Sequence, residues 1–243
     1  MFDNFEELPN KSTLTLIVAF HCEIAKKYCC ALLVQGIRGV CRDLLHLFHL
    51  LCRREQTMNE EKTLQEKEGW YTLSGDVNSD MVHRMFDAVA AMTEDGIDTA
   101  HVLLQSNGGY VSDGLCLYNF MASSPIRFVM YNAGAVASIA VVLYLAGSRR
   151  YASETARFMI HKSHATASPG SRPDALNIIV EGLRADDART ESILRKCIEL
   201  TPEQWAIHQY SDLHLNSRDA KTAGLVNDIR DFRPPKGGML RNI

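Results

Sequence analysis

Strand and helix signals alternate along this chain from Gly69 onward, glycine and asparagine punctuate the turns, and 243 residues suffice to bury one full core with room for an extension. These three observations predict an α/β fold of layered helices and sheets. Trp70-Tyr71-Thr72-Leu73 reads as the first strand, Gly75 and Asn78 as turn residues, and Ser79 as the cap of a helix whose Met81, Met85, Val89 and Met92 recur at helical spacing. His101-Val102-Leu103-Leu104 is a short buried strand, ended by Ser106-Asn107-Gly108-Gly109. A helix from about Ser112 to Met121 follows, then a strand from Ile126 to Tyr131, then a helix that begins near Ser138, runs to Ala146 and is closed by Gly147. Arg157 to His161 is another strand, and a polar loop containing Ser163, Ser168, Pro169, Gly170 and Pro173 leads into a long helix from Asp174 to about Leu200.

Composition narrows the setting. The net charge of -3 supplies no basic field for nucleic acid or an anionic membrane. The apolar runs Leu14 to Phe20 and Ala31 to Val34 are too short to span a bilayer and are interrupted by Glu23, Lys26 and Lys27. The acidic start, Met1-Phe2-Asp3-Asn4-Phe5-Glu6-Glu7, has the wrong charge for a secretory signal. Seven cysteines, five of them between Cys22 and Cys52 and without regular spacing, fit reduced thiols and a cytoplasmic location. Neither a His-Glu-x-x-His nor a paired Cys-x-x-Cys pattern occurs, so neither a metal site nor a cofactor is expected.

The organisation changes near Met58. Residues 1–57 are rich in Cys, His, Leu and Arg, with Leu44, Leu45, Leu47, Phe48, Leu50 and Leu51 crowding one amphipathic stretch. They read either as a helical extension or as an over-called start, the second favoured by their sparse turn and cap signals. A charged lead-in at 58–69, a main domain at 70–232 and a tail at 233–243 complete the expected division.

Four features are able to carry chemistry, each with an ordinary alternative. Ser138 follows the glycine turn Asn132-Ala133-Gly134-Ala135-Val136-Ala137 and opens an apolar helix. Such a serine is commonly an N-cap, but at a helix start it is also placed as a nucleophile whose neighbouring free N–H groups stabilise an oxyanion. Asn107-Gly108-Gly109 is either a plain turn or a place where a substrate backbone approaches closely, with N–H groups left free to donate. His161 ends the strand Phe158-Met159-Ile160, and Asp212 lies in Tyr210-Ser211-Asp212-Leu213. A histidine near neutrality is the usual base for a serine, and a carboxylate beside it fixes the tautomer.

In their order these segments resemble the proteolytic subunit of Clp protease, a serine peptidase of the superfamily that includes the crotonases. Ser106-Asn107-Gly108-Gly109 is similar to that family's Ser-Pro-Gly-Gly turn, with Asn107 in place of proline. Gly134-Ala135-Val136-Ala137-Ser138-Ile139 is similar to its Gly-x-Ala-Ala-Ser-Met segment. Arg150, Glu154 and Phe158-Met159-Ile160-His161 match its histidine segment, after which Lys162-Ser163 replaces the usual Gln-Pro. Asp212 precedes Ser217-Arg218-Asp219-Ala220 and Gly224-Leu225-Val226, which match the helix and strand that follow the family's third triad member.

The resemblance implies a spiral of repeated β-β-α units with a protruding handle helix, over roughly residues 70 to 230. It implies a Ser138, His161, Asp212 triad, an oxyanion hole from the N–H groups of Gly109 and Ile139, and substrate contact at Gly108 and Gly109. It further implies cleavage of unfolded polypeptides, a homo-oligomeric ring (a heptamer or stacked heptamers), and a separate AAA+ unfoldase. The chain itself lacks a Gly-x-x-x-x-Gly-Lys-[Ser/Thr] loop for ATP. His164 is a rival base three residues on, and Lys162 is the partner that a serine–lysine peptidase would use. The Ser and Pro rich stretch His164 to Pro173, where the family has a glycine-rich hairpin, and Ser211, where it has an arginine, leave an inactive ring subunit as one alternative. An acyl-CoA hydratase or isomerase of the crotonase group is the other.

Overall fold

The computed structural model describes residues 66–243, so the expectations for 1–57 and for most of the lead-in lie outside the described residues. The described part is built on two sheets. Strands β1 (Glu68–Ser74), β2 (Thr99–Gln105), β3 (Arg127–Asn132), β5 (Arg149–Ala152), β8 (Asp228–Ile229) and β9 (Leu240–Asn242) form one parallel sheet in the order β8-β5-β3-β2-β1-β9. The smaller sheet holds β4 (Ala135–Ala137), β6 (Arg157–Ile160) and β7 (Leu213–Asn216), in the order β4-β6-β7. Single bridges at Val77–Gly109 and Ser106–Val136 carry the backbone just beyond β1 and β2 alongside this second layer. Successive turns of chain thus give one segment to each layer and then a helix, a spiral of β-β-α units.

Helix α1 (Ser79–Glu94) buries Met81, Val82, Met85, Val89 and Met92, the apolar stripe expected from the sequence. Its cap is Asn78 rather than Ser79: the Asn78 side chain accepts from Met81 N–H at 3.0 Å, because the chain is still extended at Asn78 and already helical at Ser79. Asn78→Ala should therefore cost about 1 kcal/mol, read as a lower urea midpoint at unchanged slope. Helix α2 (Val111–Ser123) begins two residues after Gly109 and packs on α3 (Ile139–Tyr144), all six of whose residues are buried. That burial fits a run with no polar side chain between Ile139 and Leu143.

The long helix α4 (Pro173–Cys197) differs in kind. Of its 25 residues only Leu194 is buried, and Ile178 is 71% exposed. Its first turns project from the core, while its last turns lie against α2 and α3. It ends three residues earlier than expected, at Cys197, where the chain turns extended at Ile198. A separate helix, α5 (Pro202–Tyr210), follows behind a Thr201–Gln204 capping box, and α6 (Ser217–Thr222) follows β7. The Gly224-Leu225-Val226 strand is displaced to Asp228–Ile229, because Gly224 turns at φ 74° to close α6. No helix among the described residues is long and apolar enough to cross a membrane.

Candidate active site

Register in the small sheet assembles the site. Strands β4 and β6 run parallel with Ala137 opposite Met159, and Ser138 N–H donates to Met159 O at 2.8 Å. Both strands stop there, so Ser138 and His161 emerge together from adjacent strand ends. Strands β6 and β7 run antiparallel, and their last pair is Ile160 with Leu213. The next opposed pair is therefore His161 and Asp212. Three residues far apart in sequence meet because two strand pairings end at one point.

The conformation of Ser138 bears on its two readings. It occupies the cap position of α3, yet its hydroxyl makes no capping bond; it lies 2.7 Å from His161 Nε2 instead. Its φ is 57° and ψ -134°, and among the described residues it is the only non-glycine at positive φ. Such a backbone costs about 1–3 kcal/mol and persists only where the surroundings impose it. Asn132 supplies part of that support from a nearly fully buried position: its Oδ1 accepts from Gly134 N–H at 2.9 Å and its Nδ2 donates to Arg157 O at 2.9 Å. Gln105 Oε1 accepts from Ala135 N–H at 3.0 Å. The turn before Ser138 is thus tied to β2 and to β6.

His161 is mostly buried, its side chain 16% exposed, and Asp212 is 55% exposed with Oδ1 4.0 Å from His161 Nδ1. That separation is within ion-pair reach and longer than a hydrogen bond, as often found before substrate binds. With Nδ1–H turned toward Asp212, Nε2 accepts from the Ser138 hydroxyl. Burial holds the imidazole below the usual histidine range, the Asp212 carboxylate pulls the other way, and His164 adds to the lowering.

Ser138 and His161 open into a cleft of about 930 Å³. Asn107, Gly108, Gly109 and Ile139 also line it. Ile139 N–H is the first of α3 and so has no partner within the helix, and no protein acceptor for Gly109 N–H occurs among the described residues. A Cβ on Gly108 would lie 2.6 Å from Ser138 Cβ, and one on Gly109 2.2 Å from Val77 O. The glycine pair is therefore required by close approach as well as by its positive φ angles of 104° and 155°.

The sequence pattern of the Clp protease family matches residues 53–233. The chain belongs to the Clp protease family. Within that family it is 24% identical over 160 residues to the ATP-dependent Clp protease proteolytic subunit 2 of Corynebacterium glutamicum, a match covering 65% of this chain and 79% of that one. It is 30% identical over 93 residues to proteolytic subunit 1 of Mycobacterium leprae, covering 37% of this chain and 46% of that one, so this match spans about half the relative's length. Among solved structures a ClpP1 variant from Listeria monocytogenes superposes with a TM-score of 0.59 at 19% identity, covering 71% of this chain and 96% of that one. The fold is accordingly that of this Clp protease structure.

Asn107, Gly108, Gly109, Ser138, Ile139 and His161 all line this cleft, and Asp212 stands behind His161, farther from it than a hydrogen bond allows. His164 sits beside the site, its ring centroid 5.1 Å from that of His161, while the hydroxyl bond belongs to His161. Lys162 points away: its ammonium is 2.6 Å from Glu191 Oε2, which disfavours a serine–lysine pair. Sequence reasoning missed the part of the cleft that Leu183, Asp186 and Thr190 of α4 line, and it missed Asn132. Their signal was faint: a helix with acids at 186, 187 and 191 and no obvious partner. Among the described residues no cluster of three or more His, Cys, Asp or Glu side chains is placed to hold a metal.

Proposed function

We propose that this chain is a serine endopeptidase that cleaves unfolded polypeptides through Ser138, His161 and Asp212. The observation that carries the reading is the 2.7 Å contact between the Ser138 hydroxyl and His161 Nε2, made by a serine held in a strained backbone at the floor of an open cleft. Ser138 Oγ attacks the scissile carbonyl while His161 Nε2 takes its proton; the C–N bond then breaks as His161 returns that proton to the leaving amine. Water, deprotonated by the same imidazole, releases the acyl group. The N–H groups of Gly109 and Ile139 receive the developing oxyanion, each worth about 2.7–4 kcal/mol of transition-state stabilisation. Asp212 closes on Nδ1–H as positive charge develops on the ring. The relatives' names describe ATP-dependent proteolytic subunits, and this sequence carries no phosphate-binding loop of its own, so a homo-oligomeric ring served by a separate AAA+ unfoldase completes the proposal.

Incubation with a reduced, carboxymethylated polypeptide tests it. New peptide termini should accumulate with time, and acyl-CoA thioesters should stay intact. An intact polypeptide with thioester turnover would transfer the site to crotonase chemistry; neither activity would favour an inactive ring subunit, the reading that the exposed Asp212 supports.

The pH dependence follows from His161. Catalysis needs the neutral ring, and burial favours that form, so kcat/KM should rise with pH through a midpoint below the ordinary value of about 6.5 and then level off. An acidic midpoint above that value would mean that the Asp212 carboxylate outweighs burial, and a profile with no acidic limb contradicts the assignment of His161 as base.

A further inference from the structure

The two residues after His161 are tied to α4 by contacts that the proposed chemistry does not use. Lys162 Nζ donates to Glu191 Oε2 at 2.6 Å, with both side chains about three-quarters buried. Ser163 N–H donates to Asp187 Oδ1 at 2.7 Å, one turn earlier on α4. The His208 ring of α5 is buried, and its Nδ1 has no partner among the described residues. Residues 162 and 163, directly after His161, are thus both anchored to α4.

From Glu191 the contacts continue to α5. Glu191 Oε1 also accepts from Arg195 Nε at 2.8 Å, the Arg195 guanidinium lies 3.9 Å from the Trp205 ring centroid, and the Trp205 and His208 rings meet at 5.6 Å. Glu191 is held below the usual carboxylate range by Lys162 first and by Arg195, so it stays charged.

We propose that Lys162 and Glu191 are a positioning pair that sets the His161 imidazole against Ser138 and makes the site depend on the placement of α4. The proposal rests on the reading of His161 as the base. A charge pair withdrawn this far from water is stronger than an exposed one, and removing one partner strands the other. A shift of about 1 Å in a reacting group is enough to slow a reaction on the order of 100-fold.

The test compares Lys162→Gln, Glu191→Gln and the conservative Lys162→Arg in the full chain. Lys162→Gln removes the charge, and Lys162→Arg retains it. Two quantities are read: the rate at which a fluorophosphonate reacts with Ser138 at saturating probe, and the titration of the His161 ring followed by nitrogen NMR. The two glutamine variants should react about 10–100-fold more slowly with unchanged probe affinity, while Lys162→Arg stays within about 3-fold of wild type. The His161 midpoint should move upward in Glu191→Gln as the ring loosens into water, whereas loss of that negative charge alone would lower it. Reaction rates within about 2-fold of wild type in both glutamine variants overturn the proposal and leave the peptidase reading standing. If the wild-type protein fails to react at all, the peptidase reading fails and the titration decides the pairing by itself: an unmoved or lowered midpoint in Glu191→Gln overturns it, and a raised one sustains it.

Discussion

Ser138→Ala and His161→Ala should each lower kcat on the order of 10⁴–10⁶-fold, with KM little changed. The reasoning starts from the shared contact: hydroxyl and imidazole are 2.7 Å apart and act as one unit, so losing either removes the activated nucleophile. The double variant should be no slower than either single one, because groups acting as a unit are not additive. Asp212→Asn should cost less than either, since the serine and imidazole remain paired without it. Burst and steady-state kinetics on one fluorogenic peptide supply all four values. A double variant slower by the product of the two single losses would show two independent contributions and defeat the shared mechanism.

Gly109→Ala should destabilise the fold by about 2–5 kcal/mol, combining backbone strain with overpacking. The new Cβ would lie 2.2 Å from Val77 O and 2.8 Å from Val77 N, both main-chain atoms with no side-chain rotation to relieve them. Gly108→Ala works differently. Its Cβ would meet Ser138 Cβ at 2.6 Å, so the site gives way first and reaction at Ser138 falls along with stability. Gly75 supplies the control, for its φ of 108° is close to the 104° of Gly108 and nothing lies within 4 Å of its missing Cβ. Gly75→Ala should carry only the strain, about 1–3 kcal/mol, and keep wild-type reactivity at Ser138. Urea midpoints of the three variants, read beside their labelling rates, check this. Equal effects at Gly75 and Gly109 would remove close packing from the explanation.

The alternation of strands and helices was legible because each apolar run is short and bounded by a glycine, asparagine or charged turn. Strand β4 was not. Ala135-Val136-Ala137 is three small residues long and reads as the tail of a glycine turn; it becomes a strand only because Phe158 lies beside it. Strand β5 opens on two arginines, and what makes it a strand is its pairing to β3 together with Arg150, whose guanidinium reaches the Leu225 carbonyl 75 residues away. Ser138 was legible as a candidate and undecided as to role, because cap and nucleophile differ in φ and in the direction of one hydroxyl, neither of which a local pattern records. Asp212 was placed by resemblance alone; physically, its position follows from the β6–β7 register. The α4 wall and the Lys162–Glu191 pair were out of reach, since 29 residues separate partners that only the fold brings together.

The most direct measurement of the central claim is to locate a fluorophosphonate adduct on the full-length protein by peptide mass mapping. A single adduct is expected on Ser138, absent from Ser138→Ala and formed far more slowly in His161→Ala. An adduct on another residue, or one that persists in Ser138→Ala, contradicts it.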